Sequence, residues 1–185
     1  MKDILGLGIE SSCDETSIAV VRNGEEILAN TLYSQVAEHA PFRGVVPEIA
    51  SRLHLIHINH LYQSAMKQAA VELSDLSYAA VTGRPGLLGS LLVGGQFAKC
   101  LHLVSGVPVF AVDHVESHFY SVCLEGKKLE YPFIGLLLSG GNSAIFLVHG
   151  PGNMETLADT SDDACGEAFD KTASILNLGY PGGPL

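Results

Sequence analysis

The sequence predicts an α/β protein of two lobes, the second of which repeats the beginning of the first. Three observations indicate this: an opening of strand, polar turn and strands, an alternation of helices and strands after it, and a restart of the opening pattern at Pro132. We therefore expect a first lobe over residues 1–130 and the start of a second lobe over residues 131–185. With 47% hydrophobic and 16% charged residues, the chain is typical of packed globular proteins.

The opening elements have clear local signals. Apolar character predicts strands over Ile4–Glu10 and Thr16–Gly24, with the polar turn SSCDE between them. The dipeptide Asn23-Gly24 is a hairpin signal, and it predicts a third strand over Glu25–Ser34. These segments would form a small antiparallel sheet.

Helices and strands then alternate. Helical periodicity follows the segment GVVPEIASRLHLIHINHLYQSAMKQAA, where Pro47 suits the first helical turn. Strands are predicted at YAAVTG and VPVFAV, separated by a helix that Gly106 would end. Asp113 is a suitable N-cap for the next helix, DHVESHFYSVCLEG.

The second lobe begins with FIGLLLSGGNSAIFLVHG, a strand, a Ser-Gly-Gly turn and a strand. A capped helix within SDDACGEAFDKTASILNLGYPGGPL and a glycine-rich turn follow. A hairpin and one helix would leave apolar faces uncovered, so we expect these residues to be the front part of a longer protein.

Charge and cysteine content restrict the classes of function. Twenty acidic and ten basic residues give a net charge of −10, which argues against a large nucleic-acid-binding surface on this chain. The four cysteines match neither a metal knuckle nor a disulfide framework, and they predict reduced thiols in the cytosol. No apolar run approaches the ~20 residues of a membrane span, so we expect no membrane association.

Two turns could approach a ligand. Glu10, Ser11, Ser12 and Asp14 surround the first hairpin turn, where amides and hydroxyls suit phosphate and carboxylates suit a metal or a water. In the second lobe, the Gly140-Gly141 turn allows close backbone approach to a ligand. Each could equally be an ordinary hairpin turn, but their matching positions favour a ligand between the lobes.

Histidines and one aspartate are further candidates. His114 and His118 lie four residues apart, which suits two imidazoles on one metal ion, although a third ligand is needed and helix-surface histidines are the alternative. The spacing of His54, His57 and His60 drifts around their helix, so the three cannot converge on one ion. We interpret them as surface or interdomain packing residues, with a ligand role as the alternative. Asp170 is either a solvated helix charge or, with a glycine turn that follows, a contact to a sugar ring.

Together these motifs resemble one family. They are GIESSCDETS, GVVPEIASRLH, GLLGSLLVG, DHVESH, LLLSGGNS, GEAFDK and GYPGGP, in this order over nearly the whole chain. They are similar to the TsaD family, the tRNA threonylcarbamoyladenosine synthases once labelled O-sialoglycoprotein endopeptidases. The resemblance implies an actin/Hsp70/sugar-kinase-like fold with ribonuclease-H-like lobes and a nucleotide cleft. It also implies a cytoplasmic transferase that moves threonylcarbamoyl from threonylcarbamoyl-AMP to adenosine 37 of tRNAs reading ANN codons.

The resemblance also implies roles for individual residues. One divalent metal, iron(II) or zinc, would be held by His114 and His118, and an ATP- or AMP-type nucleotide could occupy the cleft. The Glu10–Asp14 turn would face phosphate and metal in a supporting role. The residues implied in substrate binding are Leu137, Leu138, Ser139, Gly140, Gly141, Asp170 and Gly183.

Partners are implied as well: tRNA, and either a paralogous dimerisation partner with a small ATPase or a kinase-containing complex. A basic partner surface would reconcile the −10 charge with a tRNA substrate. The chain departs from the family pattern at Asn142-Ser143, usually His-Thr, and at Gly83-Arg84-Pro85-Gly86, usually Gly-Pro-Gly. The family's third metal ligand, an aspartate, and an asparagine near the base lie further downstream, so we expect these 185 residues alone to be inactive and to bind metal weakly.

Three alternatives stay open. The chain could be a non-catalytic paralogue or an inactive fragment that scaffolds the tRNA-modifying complex, although such paralogues usually lack the histidine pair. A metalloprotease is disfavoured because the HExxH helix is absent. An ATP-hydrolysing or sugar-phosphorylating relative would have no use for the histidine pair.

Overall fold

The computed structural model describes residues 3–125 and 127–184. The strands are β1 (Leu5–Glu10), β2 (Glu15–Arg22), β3 (Glu26–Ser34), β4 (Tyr78–Arg84), β5 (Val109–Asp113), β6 (Phe133–Leu138), β7 (Ser143–Gly150) and β8 (Asn153–Asp159). The helices are α1 (Val36–His39), α2 (Pro47–Ala69), α3 (Leu88–Ser105), α4 (His114–Tyr120) and α5 (Cys165–Leu176), with short 3-10 turns at Ala40–Phe42, Leu73–Asp75 and Ser121–Glu125. The predicted α/β class is confirmed.

The chain divides into two compact units. The first contains Met1–Gln35 and Val45–Ser117, and the second contains Val36–Gly44 and His118–Leu185. The division falls inside α4, between Ser117 and His118. The lobe boundary that the sequence suggests near residue 130 stays a prediction.

A five-stranded mixed sheet forms the first unit, in the order β3-β2-β1-β4-β5. β2 runs antiparallel to both β1 and β3, whereas β4 is parallel to β1 and β5 is parallel to β4. The predicted hairpin after β2 is confirmed, because Asn23 and Gly24 both have positive φ, of 54° and 74°.

Apolar side chains alternate along the central strands and meet the helices. Helix α2 packs on β2 and β3, and α3 packs on β4. Pro47 is the first residue of α2, and Gly106 ends α3 in the left-handed conformation, both as predicted. Residues fully or almost fully buried in this core are Leu7, Ile9, Ile18, Val20, Ile58, Ala65, Ala79 and Ala98.

The second unit contains the antiparallel meander β6-β7-β8 and helix α5. Leu137, Phe146 and Val148 are buried on one face of the meander, where Phe119 packs edge-on against Phe146. On the opposite face of β6, the side chains of Ile134, Leu136 and Leu138 are exposed. This alternation is the period-two pattern of a half-buried strand.

Two elements differ from the sequence-based expectation. Strand β8 was not predicted, since its residues are nearly all exposed and lack apolar alternation; it forms because Gly152, with φ of 70°, turns the chain back onto β7. Helix α1 and the adjoining 3-10 turn were also missed, because they are too short for a periodic signal. Within the described part of the chain, no helix is both long and apolar enough to cross a membrane.

Candidate functional site

The carboxyl ends of three parallel strands collect polar side chains in the first unit. Glu10 is the last residue of β1, Thr82 lies near the end of β4, and Asp113 is the last residue of β5. Because parallel strands end at the same edge of a sheet, this edge is where open α/β sheets commonly bind ligands. The sequence indicates Glu10 as a candidate but not Thr82, which reaches this edge only because β4 pairs in parallel with β1.

Three groups contact the carboxylate of Glu10. One carboxylate oxygen accepts the Ser12 amide, and the other accepts the Thr82 hydroxyl. The second oxygen also lies 3.3 Å from Nδ1 of His114. Ser12 Oγ lies 3.3 Å from the same His114 nitrogen. Glu10 and Ser12 therefore both orient the imidazole.

His114 begins α4 immediately after β5. Asp113 caps the helix as predicted, since its carboxylate accepts the amides of Val115 at 2.9 Å and Glu116 at 3.2 Å. The cap fixes the direction in which α4 leaves the sheet, and with it the position of His114. His118 is the fifth residue of the helix and falls in the second unit.

The Glu10 and His114 side chains shift one another's pKa. Burial alone would raise the pKa of Glu10, but hydrogen bonds from His114, Ser12 and Thr82 outweigh it and lower the pKa to about 2. The hydrogen bond to Glu10 raises the pKa of His114, against the opposing effect of burial. The site therefore favours an ionised carboxylate facing a protonated Nδ1.

The first half of the first hairpin turn is buried. Ser11 and Ser12 are 1% and 2% exposed, and the Ser11 hydroxyl donates to the carbonyl of Ser90 at 2.8 Å. The Ser12 carbonyl accepts the Leu87 amide at 2.8 Å, and the Asp14 carbonyl accepts the Gln35 amide. The turn is thus bonded to several neighbouring segments of the first unit, and the Asp14 side chain is partly exposed at its end.

The three histidines of α2 have different surroundings. His54 is fully buried, so its interpretation as a surface residue was wrong. Its bonded partners, Cys13 and Thr16, belong to the same unit as His54. His57 stacks on Tyr33 with ring centroids 3.6 Å apart, and His60 is exposed. Burial of His54 could not be read from its spacing, because its partners come from β2 and the turn before it.

The Ser-Gly-Gly turn between β6 and β7 closes on itself in the second unit. The Ser139 amide donates to the Asn142 carbonyl at 2.8 Å, and the Asn142 amide donates to the Ser139 hydroxyl at 3.0 Å. Of the other predicted lining residues, Leu137 is buried and Leu138 is 59% exposed. Gly140 and Gly141 have open space where a Cβ would be.

Helix α5 begins directly against this turn. The Cys165 amide donates to the Ser143 hydroxyl at 2.7 Å, and the Gly166 amide donates to the Ser139 carbonyl at 3.1 Å. The N-cap residue, Ala164, supplies no side-chain cap, so the hairpin serves as the cap. The sequence predicts a capped helix but does not indicate Ser143 as the capping residue, because Ser143 lies 22 residues from the amide that it caps.

Asp170 lies on the same helix and organises the glycine-rich turn after it. One carboxylate oxygen accepts the Gly182 amide at 2.6 Å. A Cβ on Gly182 would lie 2.3 Å from the Phe169 carbonyl oxygen, whereas Gly183 has open space. Asp170 and Gly183 are therefore close in the fold, and their role in binding ribose stays a prediction.

The donor set at His114 fits a metal ligand. Histidine ligands commonly donate one ring N–H to a carboxylate and bind the metal through the other nitrogen, and the Glu10–His114 contact has that form. Among the described residues, no group of three His, Cys, Asp or Glu side chains is arranged to hold an ion. His114 with its partner Glu10 therefore suits one metal ligand, and a complete metal site needs further ligands from other residues.

We predict that removing the Glu10 charge destabilises the fold in a pH-dependent manner. The pKa of Glu10 is lowered from 4.5 to about 2, so its contribution is present above pH 4.5 and is lost as the pH falls towards 2. The raised pKa of His114 adds a contribution below pH 6.5 that is lost as the pH rises. Glu10→Gln should therefore lower the free energy of unfolding most between pH 4.5 and 6.5, by about 2–3 kcal/mol.

Urea denaturation at several pH values, in buffer with a chelator, measures this difference. Glu26→Gln is the matched control, because Glu26 makes an exposed ion pair with Arg22 and should change stability by less than about 0.5 kcal/mol. A Glu10→Gln effect that is the same at every pH would contradict the assignment of a charged pair.

We predict that Gly166→Ala disrupts the junction of the turn and α5. The added Cβ would lie 2.8 Å from backbone atoms of Ser139 and Gly140, so the helix or the turn must shift. The expected loss is about 1–3 kcal/mol in the free energy of unfolding. Gly141→Ala, in the same turn with no atom within 4 Å, should be near neutral. Equal losses in the two variants would refute the close approach.

Comparison with known proteins identifies the family of this chain. The family described as TsaD, tRNA N6-adenosine threonylcarbamoyltransferase, matches residues 26–185. The tRNA N6-adenosine threonylcarbamoyltransferase of Leptospira interrogans is 55% identical over 181 residues, 98% of this chain and 54% of the relative. That of Syntrophomonas wolfei is 49% identical over 184 residues, 100% of this chain and 54% of the relative. The chain spans about half the length of the curated relatives it matches.

Solved structures give the same fold. YeaZ from Pseudomonas aeruginosa has a TM-score of 0.53 at 16% identity, with 85% of this chain and 66% of that chain covered. The ethanolamine utilization protein EutJ from Carboxydothermus hydrogenoformans has a TM-score of 0.53 at 14% identity, with 93% and 57% covered. Likeness at these identities concerns the fold alone, and the predicted actin/Hsp70/sugar-kinase-like class is confirmed.

The family match covers most of this chain, and the sequence identity to the relatives extends over nearly all of it. This chain therefore belongs to the TsaD family of tRNA N6-adenosine threonylcarbamoyltransferases.

Proposed function

We propose that this protein transfers a threonylcarbamoyl group from threonylcarbamoyl-AMP to the exocyclic amine of adenosine 37 in tRNAs that read ANN codons. The observation that carries the proposal is the 55% identity over 98% of the chain to a curated tRNA N6-adenosine threonylcarbamoyltransferase. A cytoplasmic location follows from the proposed tRNA substrate.

The proposed chemistry needs no nucleophile from the protein. A mixed anhydride is already activated, so the protein has to hold the amine near the carbamoyl carbonyl and stabilise the departing phosphate. The Leu137–Gly141 turn would bind the adenylate, with Asp170 and Gly183 at the ribose. Two contacts support this assignment: Gly166 joins the turn to α5, and Asp170 fixes the glycine turn through Gly182.

His114 and His118 would hold one divalent metal, iron(II) or zinc. Such an ion supplies Lewis acidity that polarises a carbonyl oxygen. The contact from Glu10 to His114 Nδ1 supports the role, because it fixes the ring orientation and leaves ligation to Nε2. In the supporting turn, Ser12 acts on the same ring, whereas the Ser11 hydroxyl bonds to Ser90 and holds the turn itself.

The net charge of −10 bears on the partners. Lys and Arg make most phosphate contacts, so a chain with this balance needs help in holding tRNA. We propose that a paralogous dimerisation partner and a small ATPase, or a kinase-containing complex, supply that basic surface. The alternative of a non-catalytic scaffold predicts that the partner performs the transfer without any group from this chain.

The direct test supplies the purified full-length protein with threonylcarbamoyl-AMP, a divalent metal and unmodified tRNA, with and without the proposed partners. Nucleoside mass spectrometry should find threonylcarbamoyladenosine in a tRNA that reads an ANN codon and none in a control tRNA without A37. Absence of the modified nucleoside with every component present would overturn the proposal. The 185 residues tested by themselves should show no turnover and weak metal binding, because they contain only two of the implied metal ligands.

We predict that His114→Ala and His118→Ala each lower kcat/KM by about 100-fold or more, with a parallel loss of bound metal measured by elemental analysis. His60→Ala is the control, since His60 is an exposed histidine of α2 and should leave both values unchanged. A histidine-pair variant that keeps full activity would exclude these residues as metal ligands.

A further inference from the structure

We propose that His54 and Thr16 are positioning residues that fix the first hairpin turn and, through it, the orientation of Glu10 and His114. Both side chains are fully buried, at 0% exposure, and neither is among the residues proposed to hold the metal or the substrate. The effect on metal binding rests on the proposed function, whereas the effect on the turn does not.

His54 has a partner at each ring nitrogen. Nε2 lies 2.9 Å from the carbonyl oxygen of Cys13, and Nδ1 lies 2.7 Å from the hydroxyl of Thr16. A carbonyl oxygen only accepts, so Nε2 carries the hydrogen and donates it. In the neutral ring Nδ1 is then the acceptor, and the Thr16 hydroxyl donates to it. Thr16 thus selects the tautomer that can bind the turn.

The Cys13 carbonyl is an effective point of attachment because it lies in the middle of the turn. Ser90 Oγ, on α3, also approaches this carbonyl at 3.4 Å, and the Ser90 carbonyl accepts the Ser11 hydroxyl at 2.8 Å. The turn is therefore bonded to α2 through His54 and to α3 through Ser90. These three bonds join the two helices to Cys13 and Ser11 of the turn.

The same turn holds the site. The Ser12 amide donates to Glu10, Ser12 Oγ lies 3.3 Å from His114 Nδ1, and Glu10 lies 3.3 Å from the same nitrogen. A change in the path of the turn at Cys13 must therefore be transmitted to its neighbour Ser12 and to both contacts of His114. Groups that orient a metal ligand from outside the ligand set typically change metal affinity by 10–100-fold.

A purely packing role would not need an imidazole. Burial of a polar ring is unfavourable unless its hydrogen bonds are made, and replacement of both bonded partners by apolar groups of similar shape is often nearly neutral for stability. The double variant His54→Leu/Thr16→Val therefore separates the two roles. It can retain the fold, but it removes the donor to Cys13.

The single-site test compares Thr16→Val, which keeps the side-chain volume and removes the hydroxyl, with Thr16→Ser, which keeps the hydroxyl and removes a methyl group. His60→Gln is the control on the surface of the same helix. Amide hydrogen exchange in the metal-free protein reports the turn through Leu87 and Gln35, whose amides donate to the Ser12 and Asp14 carbonyls. Zinc affinity, measured with zinc alone against a competing chelator, reports the orientation of His114.

We expect Thr16→Val and the double variant to speed exchange at Leu87 and Gln35 by about 10-fold and to weaken zinc binding by a similar factor. Thr16→Ser and His60→Gln should stay within about twofold of the natural protein in both the exchange rate and the zinc affinity. Exchange that responds equally to Thr16→Val and Thr16→Ser would overturn the inference, as would a double variant with natural exchange and zinc affinity. If the natural protein binds no zinc, the metal assignment of the proposed function fails, and the exchange results alone still decide whether His54 and Thr16 hold the turn.

Discussion

The contact between Glu10 and His114 is the interaction on which the candidate site of the first unit depends. It joins the last residue of β1 to the first residue of α4, which directly follows β5. The two residues are 104 positions apart in the sequence. Their meeting requires β4 to lie between β1 and β5 in parallel, which the strand order provides. Thr82 of that middle strand bonds the same carboxylate, so the three strands share one polar edge.

The second unit builds its candidate site differently, with backbone atoms in place of a charged pair. Gly166 brings the start of α5 against the Ser139–Gly141 turn, and the Ser143 hydroxyl caps the helix. The departure from the family pattern at Asn142-Ser143 is consistent with this arrangement. Asn142 uses backbone atoms in the turn, and Ser143 supplies the hydroxyl that a threonine would also supply.

Local signals in the sequence predicted the elements, and parallel strand pairing decided the contacts. Asn23-Gly24, Pro47, Gly106 and Asp113 act within a few residues of themselves, so their roles as a turn, a helix start, a helix end and a cap were predictable. His54, Thr82 and Ser90 act on residues about 40 to 80 positions away, and no local pattern marks them. Strand β8 escaped prediction because it is exposed on both faces and depends on β7 for its pairing.

We propose that Glu10 holds Nδ1 of His114, so that only Nε2 is left to bind a metal. Nitrogen-15 NMR of the histidine rings, recorded before and after addition of zinc, tests it most directly. Nδ1 of His114 should stay protonated throughout, and the Nε2 resonance alone should move to the position of a metal-bound nitrogen. Zinc bound at Nδ1, or a His114 ring that does not respond to zinc while the metal binds elsewhere, would contradict it.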